Sequence, residues 1–317
     1  MIPVQQIVKI KIILLKINIC VLLIIGCKNK TEPITYDPPA DANYTAEFIK
    51  ISLDNGDILA GTLTVPKNAN QPSPCFLLIT GSSPHDRDNS KPTNPLTAYR
   101  PFRQIADLLS SNGLAVLRMD DRGIGSSKGG DINKITTPER ANDIKQCIKY
   151  LKHRTDIDSN RIGLLGLSEG ASIAHMIASK DSSVKILVLL SAPARSGRDI
   201  INYQINNGII DCKKLPTLLR KDINLRYLYD FDPMVTARLV KQPVLIINGE
   251  LDKNVPPDDG LILGDEMIKN GNLDVTVHII KNLNHLLLIE NKDSKIVSTK
   301  IPDETLSIIR DWVLKEI

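Results

Sequence analysis

Aromatic side chains are scarce in this sequence, and its charge is nearly balanced. Phe, Trp and Tyr make up 4% of the 317 residues, so we expect no platform for stacking bases or sugars. The formal net charge is +4, and it falls to +1 without Lys9, Lys11 and Lys16 near the N-terminus. A body this close to neutral gives no electrostatic basis for nucleic-acid binding, so no nucleic-acid partner is expected.

Cysteine and histidine are also few, and their spacing excludes several classes of site. No two cysteines form a CxxC pair, which argues against a zinc ribbon or a thioredoxin-type motif. No HxxxH or HExxH spacing occurs among the five histidines, so we expect no metal site. Cys75 lies in an apolar run and is predicted to be a buried core thiol.

Long apolar runs are missing, but a short one follows the basic start of the chain. The uninterrupted stretch that ends at Gly26 is too short to cross a bilayer, which needs about 20 apolar residues. Residues 1–26 therefore predict a secretory signal peptide. The sequence Ile24-Ile25-Gly26-Cys27 resembles a bacterial lipobox, which implies that Cys27 is lipidated. A plain signal peptide or an uncleaved anchor stays open as an alternative.

The residues after Cys27 are polar and rich in proline. The segment 27–45 therefore predicts a tether that holds a folded domain away from a membrane. With a lipid anchor at Cys27, the expected location is the bacterial cell envelope, facing the periplasm or the exterior.

The body, residues 46–317, alternates between strand and helix patterns. Residues 48–53 and 58–65 flank an Asp-Asn-Gly-Asp turn and predict a hairpin. Later strands are short, continuous apolar runs, as expected for strands that are buried on both faces. We predict an α/β fold with a mainly parallel central sheet and helices on both faces. Residues 194–240 exceed a normal crossover and predict a small helical cap over the carboxyl edge of the sheet.

The pentapeptide Gly166-Leu167-Ser168-Glu169-Gly170 follows one of the buried strands directly. A serine on a sharp strand-to-helix turn, with glycine two residues away on each side, is typical of a nucleophile elbow. The alternative is an ordinary serine at a helix N-terminus. The pattern favours Ser168 as a nucleophile.

A serine nucleophile needs a base and an acid that orients the base. Asp252 and His285 each lie five residues after the predicted end of a strand, at Ile247 and Ile280. The chain order Ser, Asp, His is the one found on sheets of this kind. These residues predict a Ser168–Asp252–His285 triad, with Glu250 as the closest rival acid.

An oxyanion hole requires two backbone N–H donors. Glu169, the residue after the nucleophile, is predicted to supply one of them. The Gly-Ser turn that follows the strand ending at Ile79 is predicted to supply the other from Ser82, with Ser83 as the fallback.

Together these motifs resemble the α/β-hydrolase superfamily, in particular the bacterial esterases grouped with serine aminopeptidase-like (S33-type) hydrolases. The resemblance implies an ester hydrolase that acts on a small-molecule ester through an acyl-enzyme and needs no cofactor. A peptidase of the aminopeptidase type and a non-catalytic, lipid-anchored binding protein stay open, as does the oligomeric state. The other motifs that carry this resemblance are Leu59-Ala60-Gly61-Thr62-Leu63, Gly81 to Asp88, Asp121 to Ser127, Asn248 to Asp252 with Val255-Pro256, and Leu283-Asn284-His285.

Overall fold

A computed structural model describes residues 35–67, 72–82, 84–90, 99–131, 134–291 and 293–317. The predicted signal peptide, the lipidation candidate Cys27 and the fallback donor Ser83 lie outside the described residues. No helix within these ranges is both long enough and apolar enough to cross a lipid bilayer.

One eight-stranded sheet forms the centre of the body. Its strands are β1 (Tyr44–Ser52), β2 (Ile58–Pro66), β3 (Ser73–Ile79), β4 (Ala115–Met119), β5 (Ile157–Leu167), β6 (Val184–Leu190), β7 (Val244–Gly249) and β8 (Val275–Ile280). Their order is β1-β2-β4-β3-β5-β6-β7-β8. The β1–β2 hairpin joins the rest antiparallel through β4, and all other neighbours are parallel. The predicted fold class is confirmed.

Helices cover both faces of this sheet. They are α1 (Pro101–Ser111), α2 (Thr137–Lys152), α3 (Glu169–Ala178), α4 (Gly197–Asn206), α5 (Leu215–Lys221), α6 (Ile223–Asp230), α7 (Met234–Ala237), α8 (Asp259–Lys269) and α9 (Asp303–Glu316). Alternate residues of β3 enter opposite apolar layers: Cys75 and Leu77 pack on the side of α2 and α3, and Phe76 packs on the side of α1. This double burial explains the continuous apolar runs in the sequence.

Three cysteines are described, and two of them are core residues. Cys75 and Cys147 are fully buried, and burial raises the pKa of each thiol above its ordinary value. The prediction for Cys75 is confirmed. Cys212 is exposed and lies between α4 and α5.

The segment predicted as a cap, residues 194–240, contains α4 to α7. Helices α4 and α6 approach each other closely at Gly197, where an added Cβ would lie 1.6 Å from the Leu228 carbonyl oxygen. No larger residue fits at that position without moving backbone.

The end of the predicted tether packs against the body. The Tyr36 ring stacks on the guanidinium groups of Arg87 and Arg100, 4.1 and 5.1 Å from the ring centroid. Burial raises the pKa of Tyr36 to about 12. The first strand begins at Tyr44, two residues before the predicted start of the domain. The folded body therefore extends further toward the N-terminus than its composition indicates, because these cation–π contacts hold a polar segment.

Buried ion pairs fix the loop that follows β3. Arg87 binds Asp120 through two parallel hydrogen bonds of 2.9 and 2.7 Å, and both side chains are almost inaccessible. Asp88 pairs with Arg118 and Arg100. These contacts support the loop from which the second oxyanion donor was predicted.

Candidate active site

Ser168 occupies the turn between β5 and α3 with φ of +58° and ψ of −118°. This is a costly conformation for a residue with a Cβ, and it persists only where the surroundings enforce it. An added Cβ at Gly166 would lie 2.1 Å from the Gly170 carbonyl oxygen, and one at Gly170 would lie 2.2 Å from the Ile79 oxygen. The two glycines are therefore required by close backbone contact, as the pentapeptide predicts.

Asp252 and His285 are in direct contact. Asp252 is 1% exposed, and its Oδ2 lies 2.7 Å from His285 Nδ1. Its Oδ1 accepts the backbone N–H groups of Asn254 and Val255 at 2.8 and 2.9 Å. The rival Glu250 is exposed and accepts the N–H of Asn282 instead. Strand β7 continues to Gly249, so Asp252 follows the strand end by three residues rather than five.

The end of β6 connects Ser168 to His285. The N–H of Ser168 donates to the Leu190 oxygen at 2.9 Å, and Ser191 Oγ donates to the His285 oxygen at 3.2 Å. Leu190 and Ser191, which are consecutive at the end of β6, thus hold the serine and the histidine at one edge of the sheet. The side chains of Ser168 and His285 make no hydrogen bond to each other within the described residues. Such bonds are often long until substrate binds.

The two predicted oxyanion donors open into the same cavity as Ser168. Glu169 is the first residue of α3, so its N–H has no acceptor in a preceding helical turn. Ser82 is exposed at the cavity wall. The preceding N–H, of Gly81, donates to Asn89 Oδ1 at 2.9 Å, which holds this loop in place.

The cavity has a volume of about 520 Å³ and lies between the sheet edge and the cap. Such a size suits a small organic molecule. Its apolar wall comes from both parts of the protein and includes Ile135, Ile144, Ile201, Leu225, Leu228 and Phe231.

The Glu169 side chain lies in a buried polar network that the sequence analysis missed. Arg140 Nη1 lies 3.1 Å from Glu169 Oε2, and Thr137 Oγ1 donates to Oε1 at 2.7 Å. Arg140 also donates to the Thr80 oxygen at 2.9 Å. Burial raises the pKa of the neighbouring Asp121, and Arg140 opposes that rise. The Thr136–Glu139 capping box is a local signal in the sequence that could place the start of α2 here.

Neither of the two buried histidines, His85 and His175, lines the described part of the cavity, and the partly buried His285 is not among its lining residues either. His175 is fully buried, its Nδ1 lies 2.8 Å from Thr236 Oγ1, and burial lowers its pKa to about 3. His85 is buried, and its N–H donates to Asp121 Oδ2 at 2.9 Å. The described residues hold no cluster of three or more His, Cys, Asp or Glu side chains that could bind a metal.

Solved structures of esterases share this fold. The Pyrococcus furiosus esterase Pf2001 superposes with a TM-score of 0.65 at 18% identity, covering 90% of this chain and 96% of that one. Est1E from Butyrivibrio proteoclasticus, solved with ferulic acid, gives a TM-score of 0.63 at 18% identity, covering 84% and 98%. At this level of identity the likeness shows the fold alone.

Sequence relatives match over shorter stretches. The thiohydrolase apmlB of Arthrinium phaeospermum is 31% identical over 87 residues, which is 27% of this chain and 28% of that protein. An acyl transferase of Aliivibrio fischeri is 28% identical over 151 residues, or 48% and 43%. The putative hydrolase YtaP of Bacillus subtilis is 25% identical over 153 residues, or 45% and 51%. This chain therefore matches between about a quarter and a half of each relative's length.

A family model covers more of the chain than these relatives do. The model of the prolyl oligopeptidase family matches residues 100–301, which is more than half of the sequence and includes the elbow and both its predicted partners. The resemblance to α/β-hydrolases is thus confirmed, although the matching peptidase family is not the S33 type. The chain belongs to the prolyl oligopeptidase family and has the fold of the α/β-hydrolases.

Proposed function

We propose that the protein is a serine hydrolase that cleaves carboxylic esters, with Ser168 as nucleophile, His285 as base and Asp252 as the acid that orients it. The observation that carries the proposal is the strained turn at Ser168, which opens into an apolar cavity. The 2.7 Å contact between Asp252 and His285 supports the same assignment. The relatives' names describe hydrolysis or acyl transfer, which is chemistry of this kind.

The mechanism follows from these groups. His285 Nε2 takes the Ser168 proton as Oγ attacks the ester carbonyl, and the N–H groups of Ser82 and Glu169 bind the oxyanion. His285 then gives that proton to the leaving alcohol, which leaves an acyl group on Ser168. Water attacks the acyl-enzyme with His285 as base, and the acid product departs as Ser168 regains its proton. Asp252 holds the imidazole tautomer throughout.

The charges around the cavity favour a neutral acyl group. The carboxylates that line it have partners: Asp120 with Arg87, Asp143 with Arg122, Glu169 and Asp121 with Arg140, and Asp222 with the N–H of Leu225. An aminopeptidase must bind a free ammonium group, and a carboxylate already held by arginine is a poor ligand for it. The cap itself, residues 194–240, carries three more basic than acidic residues.

A peptidase is the second candidate, because the matching family model is that of a peptidase family. Labelling with a fluorophosphonate probe, then a panel of nitrophenyl esters and amino-acid nitroanilides, separates the two. We expect Ser168→Ala to abolish labelling and to lower kcat by roughly 10⁶-fold. Each kcat/KM is divided by the uncatalysed rate of its substrate. A larger enhancement for alanine or proline nitroanilide than for the acetate ester would overturn the esterase proposal.

A further inference from the structure

Asn224 bridges the cap and the floor of the cavity. It lies in the first turn of α6, and its Oδ1 accepts the N–H of Thr137 at 2.8 Å, at the start of α2. Its Nδ2 lies 3.2 Å from both carboxylate oxygens of Glu169. One amide side chain therefore joins the cap, α2 and the residue that follows Ser168.

The carboxylate at the end of this bridge is closely confined. The Glu169 side chain is 1% exposed and also contacts Thr137 and Arg140. Removing a hydrogen-bond donor from a buried carboxylate leaves a charged acceptor short of a partner, and solvent has little access to replace it. The Asn224 amide is therefore one of the hydrogen-bond donors that hold the Glu169 carboxylate in place.

Glu169 matters because its backbone N–H is a proposed oxyanion donor. The direction of that N–H depends on the peptide bond between Ser168 and Glu169, which belongs to the strained turn. A strained backbone keeps its orientation only through outside contacts, and a catalytic donor must be held to within about 0.5 Å. Three contacts on the Glu169 carboxylate serve this purpose, and one of them comes from the cap.

We propose that Asn224 is a positioning residue that couples docking of the cap to the orientation of the Glu169 N–H. This inference rests on the proposed function. The oxyanion hole is then complete only when α6 is seated. An asparagine suits the task because a single amide accepts the Thr137 N–H and donates to the carboxylate at once. Alanine does neither, and aspartate only accepts.

The first test separates this role from that of a cavity wall. For Asn224→Ala we expect kcat with nitrophenyl acetate to fall about tenfold or more, with KM within about twofold of the wild-type value. Active sites are counted with the fluorophosphonate, so that any misfolded fraction does not enter kcat. If the variant has the wild-type kcat and KM with nitrophenyl acetate, and only its KM for long-chain acyl esters rises, the proposal is overturned.

The second test reverses the hydrogen bond. Asn224→Asp places a carboxylate against Glu169, and we expect its kcat relative to wild type to rise as pH falls, because protonation relieves the repulsion. Adding Glu169→Gln restores a donor and an acceptor in the opposite order, and we expect it to recover most of the lost kcat. Asn206→Asp adds the same charge to an exposed position at the end of α4 and is the matched control.

The outcomes distinguish a failure of the positioning role of Asn224 from a failure of the proposed hydrolase function. If the wild type neither labels with fluorophosphonate nor hydrolyses esters, the proposed function fails. If the wild type is active but Asn224→Asp has the pH dependence of Asn206→Asp and gains nothing from Glu169→Gln, the coupling role of Asn224 alone is refuted.

Discussion

The two carboxylate oxygens of Asp252 have separate partners, one on His285 and one on the backbone of the following turn. Asp252→Asn keeps the shape but cannot hold the same imidazole tautomer, so we expect kcat to fall by about 10⁴-fold with little change in folding. Ester hydrolysis and circular dichroism measure the two effects. Glu250→Gln is the matched control, and an equal loss in that variant would contradict the assignment.

His175 makes stability depend on pH. Its pKa is about 3 in the folded protein, against an ordinary value of 6.5. Between these values the unfolded chain binds a proton that the folded protein excludes, so the free energy of unfolding falls as pH falls from 6.5 toward 3. We expect wild type to lose about 2 kcal/mol more than His175→Gln between pH 7.5 and pH 5 in urea unfolding.

The exposed His153 provides the control for that experiment. His153→Gln is expected to keep the wild-type dependence on pH. Parallel curves for wild type and His175→Gln would show that the buried imidazole does not cause the loss.

At the scale of elements, the turn between β5 and α3 is held by backbone in close contact. In Gly166→Ala the new methyl group would meet the Gly170 carbonyl, and backbone on neither side can move freely. We expect a loss of about 3 kcal/mol in the free energy of unfolding, measured by chemical denaturation. Gly208→Ala is the control, because Gly208 has φ of +72° but no atom within 4 Å of an added Cβ.

Gly208→Ala reports only the cost of a positive φ, which is about 1 kcal/mol and which Gly166 does not carry. Similar losses at Gly166 and Gly208 would mean that the elbow can relax around a methyl group. The tight contact between strand and helix would then not be what keeps Ser168 in its strained conformation.

The sequence predicts strands and helices where local pattern decides them. Buried parallel strands are apolar throughout, and side chains that follow their carboxyl ends meet at one edge, which is why Ser168, Asp252 and His285 could be proposed together. Strand β5 begins at Ile157, five residues before its apolar run, because Ile157 pairs with Ser73 across the sheet. No local pattern reports such a pairing.

Contacts across the fold could not be predicted in this way. Asn224 lies 87 residues from Thr137 and 55 from Glu169 along the chain. Its neighbours in sequence give no sign of either partner. The stacking of Tyr36 on Arg87 likewise depends on the folded loop after β3, so composition alone predicted a tether at that position.

At the scale of the whole molecule, we propose that Cys27 carries a lipid that holds the body at a membrane of the cell envelope. The proposal rests on the basic, apolar leader and the Ile24-Ile25-Gly26-Cys27 motif. We expect Cys27→Ser to move the protein from the membrane fraction to the soluble fraction, because acyl chains supply the apolar anchor. Cys20→Ser is the control, and equal partitioning of the two variants and wild type would contradict lipidation.

The exposed thiol of Cys212 gives the cap a natural site for attaching a thiol-reactive dye. Cys75 and Cys147 are buried, so a maleimide dye would react with neither in the folded protein. With Cys20 and Cys27 changed to serine, a fluorophore at Cys212 would sit between α4 and α5. Its emission would then follow movements of the cap in real time, independently of turnover.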